Sequence, residues 1–227
     1  MTVRQAASDT AGEAPEARPF IFVLAGVNGA GKSSVGGALL ADVGLTWFNP
    51  DTMARALRAD FGLEPSEANS RAWQYGHDKL VAAIKNGTNY AFETTLGGVT
   101  MTQLIAQAAE THNVIMMFCG LDSAERHMDR VSARVKSGGH DIPGAKILER
   151  WHTSRANLIA LLPLLKQLQV FDNSAEAAVG DDIPEPVLVL EMRDGEVIWP
   201  QADNIEALWR TPQWAKAIVE AALGPLR

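Results

Sequence analysis

Five short apolar runs, Phe20 to Ala25, Leu45 to Phe48, Tyr90 to Phe92, Val114 to Cys119 and Leu168 to Phe171, alternate along the chain with segments of helical periodicity. Strands that alternate with helices predict a parallel sheet covered on both faces, because each crossover helix buries its apolar stripe against the sheet. Each run gives way to polar residues at its carboxyl end. The first leads into Gly26 and a glycine-rich turn, the second into Asn49 and Asp51, the third into Glu93, Thr94 and Thr95, the fourth into Asp122, and the fifth into Asp172, Asn173 and Ser174. Ligands of open α/β sheets bind outside the carboxyl ends of the strands, so five polar strand ends predict one shared crevice.

Between the fourth and fifth runs lies a long helical stretch, Ser123 to Lys136 and Pro143 to Leu162, broken by Ser137-Gly138-Gly139-His140-Asp141. The two glycines suit a helix C-terminus and Pro143 suits the first turn of the next helix, which predicts a helical hairpin, approximately residues 123–160, placed as a lid. After Asp181 the pattern changes. Val187 to Met192, an Asp194-Gly195 turn and Val197 to Trp199 predict a β-hairpin on the sheet edge, closed by a terminal helix near Pro212 to Leu223.

The chain has 227 residues, of which 47% are hydrophobic, enough for one sizeable α/β core. Residues 1–18 mix Arg4, Asp9, Glu13, Glu16 and Arg18 with Ala and Pro and read as a flexible tail, leaving 19–227 as a single domain. A net charge of −7 with dispersed acidic residues leaves no general basic surface for a nucleic-acid backbone, so no nucleic-acid partner is expected. No segment approaches the length of an apolar membrane span, and a cytoplasmic location without membrane attachment is expected. The single cysteine, Cys119, falls in an apolar run and reads as a buried small hydrophobe. The five histidines show no metal-ligand spacing, which argues against a protein-bound zinc site, and Trp47, Trp73, Trp151 and Trp199 read mostly as core or edge fillers.

The first polar strand end carries the strongest motif. Gly26-Val27-Asn28-Gly29-Ala30-Gly31-Lys32-Ser33 matches GxxxxGK[ST] without a gap, between an apolar strand and a helix. Such a loop turns successive backbone N–H groups inward around phosphate oxygens and adds the positive end of the following helix. Gly26, Asn28, Gly29, Ala30, Gly31, Lys32, Ser33 and Ser34 are therefore assigned to ATP, with Lys32 bridging the β and γ phosphates. The Ser33 hydroxyl is assigned to a magnesium ion held through the nucleotide. The expected fold is a three-layer P-loop NTPase or kinase fold with a central, mostly parallel five-stranded sheet, a helical lid and a C-terminal β-hairpin plus helix.

Phosphoryl transfer needs a base near the acceptor hydroxyl, a metal, and cations around the moving phosphoryl group. Asp51, at the mouth of the crevice, is the candidate for orienting or deprotonating the acceptor. The alternative is a cap on the helix that starts there, and the two roles are compatible. Glu93 is placed to bind acceptor hydroxyls or to hold a water of the metal, with Thr94 and Thr95 beside it. Arg126, Arg130 and Arg134 recur every fourth residue and so line one helix face over about 12 Å, a stripe suited to a triphosphate. Arg126 and Arg134 are assigned to the transfer step and Arg130 to the nucleotide. An i,i+4 pair between Asp122 and Arg126 on a solvated face is the alternative. Arg150 and His140 are assigned to the acceptor, and Arg155 is a further candidate.

Together these residues resemble the zeta toxin family of P-loop kinases, in its compact stand-alone bacterial branch. The phosphate loop, Phe48-Asn49-Pro50-Asp51, Phe92-Glu93-Thr94-Thr95-Leu96 and Arg130-Val131 to Arg134-Val135 with Gly138-Gly139-His140-Asp141-Ile142-Pro143 carry the resemblance. It continues through Arg150, Ser154, Arg155, Asn157 and Leu158 to Asp172-Asn173-Ser174 and covers roughly residues 20 to 175. The resemblance implies an ATP- and magnesium-dependent kinase acting on a hydroxyl of a nucleotide sugar such as UDP-N-acetylglucosamine, with a neutralising antitoxin protein as partner. It implies Asp51 as base, Glu93 and Thr95 as acceptor ligands, and lid arginines on phosphates. Relatives often carry an arginine where this chain has Gly76-His77 and another where it has Gly97-Gly98-Val99. A metabolic or antibiotic kinase with a different hydroxyl acceptor, and a regulatory NTPase acting through a protein partner, are the rival readings.

Overall fold

The computed structural model describes residues 18–42, 46–136, 141–176 and 184–224. The predicted tail therefore lies outside the described residues except for Arg18, whose guanidinium donates to the Ala109 carbonyl at 2.8 Å.

The elements run β1 (Phe20–Ala25), α1 (Lys32–Asp42), α2 (Pro50–Phe61), α3 (Pro65–Asn86), β2 (Tyr90–Thr94), α4 (Val99–Thr111), β3 (Asn113–Gly120), α5 (Ala124–Lys136), α6 (Gly144–Leu161), β4 (Gln167–Asp172), β5 (Val187–Arg193), β6 (Glu196–Trp199), α7 (Ile205–Arg210) and α8 (Lys216–Leu223). They build one sheet in the order β2-β1-β3-β4-β5-β6. The first four strands in that order are mutually parallel, and β5 and β6 add antiparallel to β4.

Side chains alternate across this sheet as the pleat requires. Ile21, Val23 and Ala25 of β1 and Val114, Met116 and Phe118 of β3 face the larger core, with Leu80, Ile105, Leu158 and Ile218 from α3, α4, α6 and α8 packed in the same cluster. Leu24, Met117 and Cys119 face the opposite side, against Ala30 and Val35. Two apolar faces covered by helices make the three layers. Phe92 and Phe118 are among the largest fully buried side chains, and truncating either to Ala would cost about 3–5 kcal/mol.

One expectation needs correction. The run Leu45 to Phe48 does not form a strand: Phe48 makes a single parallel bridge to Phe92, and Leu45 lies outside the described residues. The reason is local. Phe48 pairs through its own N–H and C=O with Ala91 and Glu93, but Asn49 caps α2 and Pro50 has no N–H to extend a ladder. The six strands are therefore four of the five predicted parallel runs and the two of the C-terminal hairpin, which stands on the sheet edge as expected. That hairpin turns at Asp194 (φ 55°) and Gly195 (φ 79°), the two left-handed residues that a tight hairpin turn with right-handed strand twist requires.

The predicted lid is present as α5 and α6, with Ser137 to His140 outside the described residues. The predicted terminal helix begins as a 3-10 turn, Gln213–Ala215, before α8. Its Trp214 is 4% exposed and leaves no space at Gly120, where a Cβ would meet the indole at 2.2 Å. The indole Nε1 donates to Asp172 Oδ1 at 3.2 Å, so the C-terminal segment clamps the ends of β3 and β4.

Candidate active site

Parallel pairing of β1 with β2 sets Leu24 beside Glu93 and Ala25 beside Thr94, so the phosphate loop and the Glu93 carboxylate emerge from neighbouring strands. The loop starts at Gly26, whose N–H donates to the Thr94 carbonyl at 3.2 Å. Only glycine fits here: φ is +139°, and a Cβ would sit 2.2 Å from the Cys119 carbonyl oxygen. Gly29 (φ +84°) and Gly31 (φ +82°) also adopt left-handed backbone, and α1 begins at Lys32.

Glu93 organises the polar centre. Its Oε2 accepts from Ser33 Oγ at 2.9 Å and from Asn49 Nδ2 at 2.8 Å, while its Oε1 lies 3.5 Å from Lys32 Nζ. Lys32 is 7% exposed and also donates to the Val27 carbonyl at 3.4 Å. A buried lysine and carboxylate keep their charges only when paired in this way. Asn49 works with both ends of its amide, because its Oδ1 accepts from Thr52 N at 3.1 Å and caps α2. Asp51 is thus not the helix cap. It sits in the first turn of α2, free of capping, with Arg134 Nη1 3.5 Å from its Oδ2.

The helical hairpin is seated on the phosphate loop. His127 of α5 donates from Nδ1 to the Asn28 carbonyl at 2.8 Å, and Arg150 of α6 donates from Nη1 to Asn28 Oδ1 at 2.7 Å. Val27 packs in one apolar cluster with Val131 of α5, Ile147 of α6 and Ile142, which precedes α6. Burial holds the His127 imidazole down at about 4, against which the Asn28 carbonyl works, so the ring is neutral at physiological pH. Burial also draws the Arg150 guanidinium below its ordinary range, opposed by the charges of Asp51 and Glu149. From the other side, Asn173 Nδ2 donates to the Ala30 carbonyl at 2.9 Å. Ser34 N–H bonds back to the Gly31 carbonyl at 3.0 Å.

The remaining assigned residues divide. Arg126 bonds Asp122 at 2.8 Å and pairs with Glu176, which realises the i,i+4 alternative to a phosphate role. Arg130 has its Cβ against Gly29 and donates to the Ala175 carbonyl at 3.3 Å. Arg134 has Nε and Nη2 buried without a hydrogen-bond partner among the described residues. Arg155 turns away from the loop: its guanidinium lies 3.6 Å from the centre of the Trp151 ring and donates to the Trp214 carbonyl. His140 lies outside the described residues.

Beyond Asp51 and Glu93 opens a cleft of about 630 Å³. Asn28, Thr94, Thr95, Gly76, Gly97 and Gly98 share its lining with Trp73 and Arg150. Trp73 is therefore a cleft residue, 45% exposed, and not a core filler. The turn after β2 that forms one wall is held in a left-handed conformation at buried Leu96 (φ 55°), where Thr94 Oγ1 accepts from Leu96 N at 3.1 Å. Asn157 and Thr153 of α6 bond the Leu96 and Gly97 carbonyls at 2.8 and 3.1 Å.

Asn49, His127, Asn157 and Thr153 are not among the sequence-predicted site residues. Asn49 carries a signal in its position before Pro50 at a helix start. Asn157 stands in the stretch that carries the family resemblance but without an assigned role, while His127 and Thr153 act across 99 and 56 residues of chain and no local pattern marks them. Among the described residues no group of three or more His, Cys, Asp or Glu is arranged to hold a metal, and no helix is long and apolar enough to cross a membrane. Burial raises the Cys119 thiol to about 12, so it is inert.

A glycine-rich loop between β1 and α1, a carboxylate on the adjacent parallel strand and a helical hairpin over the loop define a P-loop domain of the kinase type. Residues 21–158, more than half of the chain, match the family described as AAA domain, and the chain belongs to that family. An uncharacterized protein of Haemophilus influenzae is 29% identical over 124 residues, which cover 52% of this chain and 81% of that protein. Among solved structures, a chain of the AvrRxo1-ORF1:-ORF2 complex with ATP superposes with a TM-score of 0.60 at 18% identity, over 87% of this chain. This chain spans 65% of its length. A chain of the PezAT chromosomal toxin-antitoxin system of Streptococcus pneumoniae superposes with a TM-score of 0.52 at 14% identity, over 71% of this chain and 70% of that one. At these identities the likeness concerns the fold.

Proposed function

We propose that the protein transfers the γ-phosphoryl group of ATP to a hydroxyl of a small molecule held in the cleft beside Asp51. The observation that carries this reading is that the phosphate loop and the cleft meet: Asn28 of the loop, Asp51 and Glu93 line the same cavity. A cavity that opens on the phosphate loop gives an acceptor room beside the nucleotide phosphates.

In this reading the loop amides and Lys32 hold the phosphates, and α5 and α6 act as the lid that keeps Asn28 and its neighbours in place and excludes water. Asp51 accepts the proton of the acceptor hydroxyl as its oxygen bonds to the γ phosphorus and ADP leaves. Arg134 Nη1, 3.5 Å from the Asp51 carboxylate, holds it in place for this role. Glu93 keeps Lys32 and Ser33 oriented. The residues also fit a magnesium ion: Ser33 Oγ and the Glu93 carboxylate are hard oxygens set 2.9 Å apart. Ser33 would ligate it and Glu93 would hold one of its waters, and the ion would neutralise charge on the phosphates.

The zeta toxin resemblance names a nucleotide sugar such as UDP-N-acetylglucosamine as acceptor, a neutralising antitoxin as partner and the cytoplasm as location. A different hydroxyl acceptor is the second reading, favoured by the four carboxylates in the cleft lining, Asp51, Glu93, Asp141 and Glu149. Expression of the protein in a bacterial host, with Lys32→Ala as control, tests the toxin role: growth arrest by the wild type alone supports it, and equal growth of both strains contradicts it. Incubation with Mg-ATP and a panel of sugars, amino sugars and nucleotide sugars tests the chemistry, the expected result being a product one phosphate heavier.

A further inference from the structure

Against those four carboxylates the cleft sets two cations, Lys146 and Arg150, among the described residues. Both cations already have partners. Lys146 Nζ lies 2.8 Å from Glu149 Oε2, so an anion drawn to the lysine meets the carboxylate beside it. Arg150 Nη1 is committed to Asn28 Oδ1 at 2.7 Å, and its stem fills the space at Gly97, where a Cβ would lie 2.8 Å from Arg150 Cγ. The other cations near the loop, Lys32, Arg130 and Arg134, belong to the phosphate loop and α5, and none of them is part of the cleft lining.

The rest of the lining carries no charge and mixes apolar side chains with glycines, threonines and asparagines. Trp73 is half exposed and braced from behind by the His77 ring at 5.2 Å with 30° between planes, which gives a flat apolar platform at the cleft. Gly98 leaves open space at the lining, the Phe48 ring fills the space at Gly76, and Asn69, Thr95 and Thr100 supply neutral hydrogen-bonding groups. Such a lining has a flat face for the C–H side of a ring, acceptors for hydroxyl and ammonium hydrogens and, among the described residues, more carboxylates than cations, a balance that disfavours a diphosphate.

We infer that the acceptor is a phosphate-free polyhydroxylated ring compound, neutral or amino-bearing, and not a nucleoside diphosphate sugar. This inference rests on the phosphotransfer reading and narrows its substrate. The ring packs on Trp73, hydroxyl or ammonium groups donate to Asp141 and Glu149, and one hydroxyl is presented to Asp51.

The test uses the full chain with γ-labelled Mg-ATP and two pools of small bacterial metabolites. One pool is retained on an anion-exchange resin and contains phosphorylated compounds including UDP-N-acetylglucosamine; the other is not retained and contains sugars, amino sugars and nucleosides. The expected result is labelled product from the unretained pool, lost in Asp51→Asn. Gly98→Arg then adds a cation to the cleft without strain, because Gly98 has φ −107° and open space around a Cβ. It should shift the ratio of labelling towards the retained pool by about tenfold. Preferential labelling of the retained pool by the wild type overturns the inference, as does a ratio that Gly98→Arg leaves unchanged. Labelling of neither pool by a protein that binds ATP rejects phosphotransfer itself, which is a different failure.

Discussion

Arg150 Nη1 donates to Asn28 Oδ1 at 2.7 Å across 122 residues of chain, and this bond joins the phosphate loop to the helix that walls the cleft. The same asparagine takes a second bond on its backbone oxygen from His127, so α5 and α6 both bear on one loop residue. Nucleotide and acceptor ends of the site are thereby one mechanical unit.

Asn28→Ala removes the acceptor of a half-buried guanidinium and should cost about 1–3 kcal/mol of stability. Acceptor KM should rise because Arg150 is no longer fixed. Urea denaturation and steady-state kinetics read these two effects, and Asn28→Asp, which keeps an oxygen at the same place, should restore both.

Lys32→Ala deletes the phosphate-binding cation and leaves Glu93, 10% exposed, without its charge partner. Loss of one charge-assisted contact is worth about 1.5–3 kcal/mol, so ATP affinity should fall about tenfold to a hundredfold. Calorimetric titration with Mg-ATP measures it, and unchanged affinity would remove Lys32 from the site.

His127 gives the protein a pH signature. Its imidazole is held at about 4 in the folded state against the ordinary 6.5. Above pH 6.5 both folded and unfolded forms are neutral and nothing is lost. As the pH falls from 6.5 to 4, the unfolded chain takes up a proton that the folded one refuses, and stability drops by up to about 3 kcal/mol. His127→Gln should be less stable at neutral pH and show a smaller loss across that window, as followed by urea midpoints at pH 7 and pH 4.5.

Gly26→Ala forces a side chain into left-handed backbone with its Cβ 2.2 Å from the Cys119 carbonyl oxygen. Strain and overpacking together should cost about 2–6 kcal/mol. Gly98→Ala, with nothing within 4 Å of its Cβ, should change stability by less than about 1 kcal/mol. Thermal unfolding distinguishes the two.

Features written in adjacent residues are legible in the sequence. The phosphate loop, the Asp194-Gly195 turn and the helical hairpin at 123–160 each arise from a local motif and stand where expected. The run Leu45 to Phe48 looks like a strand because it is apolar, yet Asn49 and Pro50 stop the ladder after Phe48. Arg126 shows the limit of helical spacing, which says which residues share a face and not what the face meets; here it meets Asp122 and Glu176. The crevice at the strand ends is legible, but its far wall is not, since Trp73, Gly98 and Glu149 come from three segments whose meeting depends on the whole sheet.

Asp51 as the group that receives the acceptor proton is the central claim. The direct measurement is transfer of labelled γ-phosphate to acceptor by wild type and Asp51→Asn, alongside ATP affinity of both. Equal ATP affinity and a loss of transfer of about a hundredfold to ten-thousandfold in the variant are predicted. Equal transfer by the two proteins would contradict the claim.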